Sequence, residues 1–198
     1  MLVRDGQQGL ETFMLKRNPQ SEFVPGQFVF PGGAVDVNDH LTHEVETVSS
    51  GLDDRQASKR LRIDSGGLAY WVAAIRECFE EAGALLARID GEDLSLADPQ
   101  VHQRFQGHRN AIYAGDLTMM DLCRTEGLSL NFEDLRYVSH WITPIGPPRR
   151  FDTRLFVARS PSVSNTHLRA HETDAELVCR HLLEKKKGGG GGGGGGGG

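Results

Sequence analysis

Glu77, Glu80 and Glu81 lie in the stretch Arg76-Glu77-Cys78-Phe79-Glu80-Glu81-Ala82-Gly83-Ala84. On a helix, residues three and four apart are neighbours, so the three carboxylates share one face. Val72, Ile75, Phe79 and Ala82 recur at helical period on the opposite side, the pattern of a face turned to a core. Three like charges on one turn repel each other unless something neutralises them. A divalent cation would do so, because hard cations such as Mg2+ take carboxylate oxygens together with water and substrate phosphate. A solvated glutamate-rich surface is the plain alternative, but it leaves a second segment unexplained. Upstream, the apolar run Phe28-Val29-Phe30 leads into Pro31-Gly32-Gly33-Ala34. That reads as a strand breaking into a tight turn, where backbone can approach another group closely.

The elements that must position these residues follow from the rest of the chain. Residues 1–4 and 11–16 read as a hairpin turning at Asp5-Gly6, and 27–30 as a short third strand. Residues 36–67 are polar and acidic, then basic, and read as an inserted loop with a modest helix over 53–61. The carboxylate-bearing helix is expected over 68–86. Asp98-Pro99 has the form of a cap and first helical residue, giving a helix to 113 along the stripe Val101, Phe105 and Ile112. Asp116 is read as the cap of another helix, stopped by Gly127. These two helices are either a cover over a pocket or a structural insertion. Residues 137–143 and 154–159 read as strands, with His140 as a core histidine.

Past Ser160 the text changes character. From 165 to 187 there is no glycine, proline or strand pattern; Lys185-Lys186-Lys187 follows, and 188–198 are all glycine. A glycine run cannot bury apolar surface and is expected to be disordered. The expected division is a domain over 1–161 and an anomalous tail over 162–198, in a chain read as a fragment.

Together, the glycine bend and the helix resemble the Nudix box, in which a glycine-led loop precedes R-E-u-x-E-E-x-G-u, u being apolar. Every fixed position is filled from 76 to 84, with Cys78 and Ala84 among the apolar ones. The full box runs G-x5-E-x7-R-E. Counting back from Arg76 puts Leu68 at its first glutamate and Arg62 at its glycine. The glycine loop is matched instead by Gly32-Gly33, which leaves about thirty inserted residues, more than an ordinary connection. This split box is similar to that of peroxisomal coenzyme A diphosphatases and their bacterial relatives. So are Leu15-Lys16-Arg17, Phe23-Val24-Pro25-Gly26 and Arg149-Arg150-Phe151-Asp152-Thr153-Arg154.

The resemblance implies an α/β fold, a Nudix-like α/β/α sandwich around a mixed sheet, here without a recognisable final strand and helix. It implies a metal-dependent hydrolase that cleaves the phosphoanhydride bond of a nucleoside diphosphate derivative, with coenzyme A or acyl-CoA among the candidates. Glu77, Glu80 and Glu81 would hold Mg2+ or Mn2+, Glu80 or Glu81 would also serve as base, and Arg76 would orient a glutamate such as Glu80. Gly32 and Gly33 would let the loop close on the site. Arg17, Arg149, Arg150 and Arg154 are candidates for substrate phosphates, since arginine pairs with them bidentately. The other reading is a truncated Nudix module that binds nucleotides without turnover.

Composition narrows the partners. With 198 residues the chain can enclose one sizeable core. A net charge of −5 gives no general affinity for nucleic acid or anionic membrane, and it is no bar to the small nucleotide-type substrate that the resemblance implies. Cys78, Cys123 and Cys179 lack paired spacing, which fits a reducing compartment and neither a disulfide framework nor a zinc site. No apolar stretch approaches the length of a membrane span, so the cytoplasm is the expected location. None of these patterns encodes an oligomeric state.

Overall fold

A computed structural model describes residues 1–7, 9–20, 26–40, 45, 47–146, 150–161 and 180–181. Strands β1 (Leu2–Gly6) and β2 (Gly9–Thr12) form the expected hairpin, with Val3 opposite Thr12. Strand β10 (Asp152–Arg159) lies parallel to β1, Leu2 facing Ala158, and antiparallel to β9 (Arg136–Ile142). With β11 (Arg180–His181) against β2, the order is β11-β2-β1-β10-β9, a mixed five-stranded sheet. Strands β3 (Leu15–Lys16) and β4 (Phe28–Val29) make a separate antiparallel pair leading into the glycine bend. Within the expected anomalous tail over 162–198, β11 is the part described; the glycine run lies outside the described residues.

A second sheet, not anticipated from the sequence, has the order β5-β8-β6-β7. It comprises β5 (Ser49–Ser50), β6 (Ala87–Ile89), β7 (Glu92–Asp93) and β8 (Leu128–Asn131). Its strands are too short for a period-2 signal. The Asp90-Gly91 pair between β6 and β7, both at positive φ, was the available clue to a two-residue hairpin turn.

Among the described residues, the helices whose bounds are set are α1 (Asp54–Leu61), α2 (Leu68–Ala82), α3 (Pro99–Ala114) and α4 (Met119–Glu126). Helix α2 buries the face expected of it: Val72, Ile75 and Ala82 are fully enclosed, as are Trp71 and Phe79. Each such large apolar side chain contributes roughly 1.5–3 kcal/mol on leaving water. The helix ends at Ala82, earlier than expected, because Gly83 adopts φ 67, a left-handed conformation that glycine takes without a Cβ penalty.

Two sequence expectations are corrected. The cap of α4 is Thr118 rather than Asp116; Thr118 and Asp121 bond reciprocally in a capping box, satisfying donors that Asp116 does not reach. His140 is an exposed residue, not a core histidine. It lies on β9, the edge of the sheet among the described residues, and its ring bonds Asp152 on β10.

The inserted segment does more than connect. Val45, Leu52, Ala57 and Leu61 join the core. Asp54, at the start of α1, accepts from Gly66 N (3.1 Å) and Leu68 N (2.9 Å), and Ser58 Oγ accepts from Gly67 N (2.9 Å). The insertion thus supplies the cap that α2 lacks locally. At Gly67 a Cβ would collide with the backbone of Ala57 and Ser58, so glycine is what lets α1 and α2 meet.

Candidate active site

Helix α2 carries Arg76, Glu77, Glu80 and Glu81, and the turn after β4 carries Gly32 and Gly33. The fold brings the two segments together. Gly32 N donates to Glu81 Oε2 at 2.8 Å. Gly33 lies so close to the Glu77 carboxylate that any Cβ would collide with it. Gly32 supplies a donor with an unusual φ of 156, and Gly33 supplies space.

Arg76 organises the remaining charge. Its Nη1 donates to Glu77 Oε1 (2.9 Å) and Glu80 Oε1 (3.1 Å). On its other edge, Nε and Nη2 grip Asp39 Oδ1 and Oδ2, both at 3.0 Å, and Nη2 also donates to Ala34 O at 2.9 Å. Burial works against the Arg76 charge, yet the Asp39 hydrogen bonds and the surrounding carboxylates hold it above the ordinary arginine range. Asp39, on a 3-10 turn (Val37–His40), is itself only 2% exposed.

Sequence reasoning missed Asp39. Counting back from Arg76 led to Leu68 and Arg62, which instead begin α2 and end α1. Counting forward from Gly33 gives G-x5-D with Asp39 at the acidic position. The insertion therefore follows Asp39, and the Asp39–Arg76 fork closes the box across it.

The carboxylates are short of positive charge. Burial raises the Glu77 pKa despite Arg76, and pushes Glu81 up to about 7, with Glu77 and Glu80 adding and Gly32 N–H and Arg17 opposing. A divalent cation fits this donor set: hard oxygens, excess negative charge, and a bend without side chains to obstruct approach. Among the described residues, however, no three acidic, histidine or cysteine side chains already form a cage. Glu77 and Glu80 share Arg76 Nη1, and Glu81 leans on Gly32 N–H.

The arginines distribute unequally. The charge of Arg17, just after β3, is felt at Glu81. Arg154 lies over the Tyr70 ring (4.5 Å) and bonds Asp152 Oδ1 (3.0 Å). Tyr70 is in the first turn of α2, roughly 16 Å along the axis from Glu81 at 1.5 Å per residue. Arg150 is exposed and donates Nε to Thr143 O (3.0 Å). Arg149 lies outside the described residues. A cavity of about 470 Å³ opens beyond the end of α2, lined by Arg4, Leu86, Asn131 and Arg159 among others. None of the three glutamates lines it, so the chemistry of the site and not this hollow marks the candidate centre.

Residues 5–178 match the NUDT19 Nudix domain family. The chain belongs to that family. Nudix hydrolases generally use divalent metal ions, in keeping with the donor set above. This Nudix domain is 28% identical to the acyl-coenzyme A diphosphatase NUDT19 of Xenopus laevis, covering 78% of this chain and 49% of that protein. It is 27% identical to the human protein of the same name, covering 76% and 48%. The chain thus spans about half the length of the curated relatives it matches. A crystallised Nudix hydrolase from Alicyclobacillus acidocaldarius aligns with a TM-score of 0.62 and 25% identity, covering 89% of this chain and 73% of that one. Among the described residues, no helix is long and apolar enough to cross a membrane.

Proposed function

We propose that this Nudix domain hydrolyses the phosphoanhydride of a nucleoside diphosphate derivative, with coenzyme A and its acyl esters as the substrate class and Mg2+ or Mn2+ as the ion. The observation that carries the reading is the pairing of the glycine bend with the glutamate face: Gly32 N–H on Glu81, and Gly33 against Glu77. The acyl-coenzyme A diphosphatase names of the relatives support the substrate class.

Glu77, Glu80 and Glu81 would hold the cation. When bound, a divalent ion neutralises phosphate oxygens and acidifies water. Hydrolysis adds water across the anhydride: one bridging P–O bond breaks, one P–O bond forms, and two phosphomonoester ends result. Glu81 or Glu80 takes the proton that water gives up. Arg76 keeps Glu77 and Glu80 on the bend side of α2, itself braced by Asp39. Arg17, whose positive charge is felt at Glu81, would meet a substrate phosphate. Arg149, Arg150 and Arg154 remain candidates for more distant parts of the substrate. The reading includes a reducing cytoplasmic setting, which suits the free, buried thiols of Cys78 and Cys123.

The test is turnover of coenzyme A, acyl-CoA, ADP-ribose, NADH and diadenosine polyphosphates with Mg2+ or Mn2+, read as new phosphomonoester. We expect activity that chelator abolishes and that Glu80→Gln or Glu81→Gln lowers by about 10²–10⁴. Turnover without metal, or full activity in both variants, would refute the mechanism. Binding without turnover would establish the non-catalytic reading in its place.

A further inference from the structure

Arg109 is a charged residue sealed inside the protein, 2% exposed, and no motif in the chain points to it. It sits on α3 and reaches the last turn of α2. A helix leaves its final carbonyls without intrahelical donors. In α2, backbone turns satisfy two of these carbonyls: Gly83 N donates to Phe79 O (2.9 Å) and Ala84 N to Cys78 O (3.2 Å). The next two carbonyls belong to Glu80 and Glu81, and Arg109 takes both. Its Nε donates to Glu80 O at 2.8 Å and its Nη2 to Glu81 O at 3.0 Å. Gly83 leaves the room, since a Cβ there would lie 3.2 Å from Arg109 Nη1. Burial pulls the Arg109 pKa down, and the nearby Glu81 charge opposes it. The negative end of the helix favours a cation at the same place.

We propose that Arg109 is a positioning residue. By gripping the peptide carbonyls of Glu80 and Glu81, it fixes the direction in which their carboxylates leave the helix, and so ties α3 to the geometry of the cation site. This deepens the function proposed above and rests on it. The last turn of a helix frays readily, and a carboxylate moves with its own peptide unit. Arg109 locks that turn from outside the box. A lysine would keep the charge, but a single flexible ammonium does not reproduce a planar fork on two carbonyls.

The experiment compares the wild-type chain with Arg109→Lys and, as control, Arg104→Lys. Arg104 shares α3 but pairs with Glu126 rather than α2. Mn2+ binding to the free protein is read by electron paramagnetic resonance, kcat and KM with an acyl-CoA and Mg2+, and folding by thermal melting. For Arg109→Lys we expect a folded protein, KM within about threefold of wild type, and Mn2+ affinity and kcat each about 10- to 100-fold lower. Arg104→Lys should move none of these. A folded Arg109→Lys protein with wild-type Mn2+ affinity and kcat overturns the proposal. If the lysine variant does not fold, Arg109→Met fills the same space with neither a charge to bury nor a donor for the carbonyls, and a folded Arg109→Met protein with wild-type Mn2+ affinity and kcat overturns it equally. Should the wild-type chain hydrolyse no substrate, the functional reading fails, while the Mn2+ comparison still decides the role of Arg109.

Discussion

Glu81 must be ionised to bind a cation, yet its surroundings favour the protonated form. Burial pushes its carboxyl up to about 7 from an ordinary 4.5. Between those values the folded chain keeps a proton that the unfolded chain has released. The metal-free protein is therefore stabilised by this group at the acidic end of the window, and loses that contribution as pH rises through about 7. We expect melting temperature in chelator to fall across this range, and Glu81→Gln to flatten the fall. Mg2+ should restore stability above pH 7 and do little near pH 5, because protons and metal compete for the same oxygens. Thermal melts at graded pH, with and without Mg2+, measure all three. A metal-free melting curve indifferent to pH would contradict the burial that separates Glu81 from solvent.

Among the elements, α2 is held at three heights by groups outside its own sequence: Asp54 at its start, Asp39 at Arg76, and Arg109 at its last turn. Asp39 gives the sharpest test. Removing it takes two hydrogen bonds from a partly buried guanidinium that still has Glu77, Glu80 and Ala34 O, so Asp39→Ala should cost about 1.5–3 kcal/mol, whereas a solvated ion pair would cost under about 1. Chemical denaturation measures the difference, and a change below about 1 kcal/mol would mean that Glu77 and Glu80 suffice for Arg76. The sequence made α2, its buried face and the glycine bend legible, because helical period and turn chemistry are local. It hid Asp39, since an insertion separates it from its partner and breaks the count on one side. It hid Arg109 more deeply: carbonyls accept from any donor, so the contact leaves no residue pattern on α2. The second sheet escaped because strands of two to four residues carry too little alternation to register.

For the molecule as a whole, the buried apolar residues among those described run from Leu2 to Ala158. A chain ending at 161 keeps all of them and forfeits the pairing of Arg180–His181 with β2. We expect that truncated chain to melt cooperatively, with a loss on the order of 1 kcal/mol, or about 2–4 °C. A truncated chain without a cooperative transition would make residues past 161 an integral part of the domain. The junction of α1 and α2 carries a different consequence. Gly67 touches neither the carboxylates nor the bend, yet the backbone of Ala57 and Ser58 closes off the space beside its Cα. In a saturation scan selected on survival, that position would score as intolerant as Glu81 and masquerade as part of the chemistry. Only an assay that separates abundance from turnover per molecule would return it to its true place, a point of mechanical clearance between two rods.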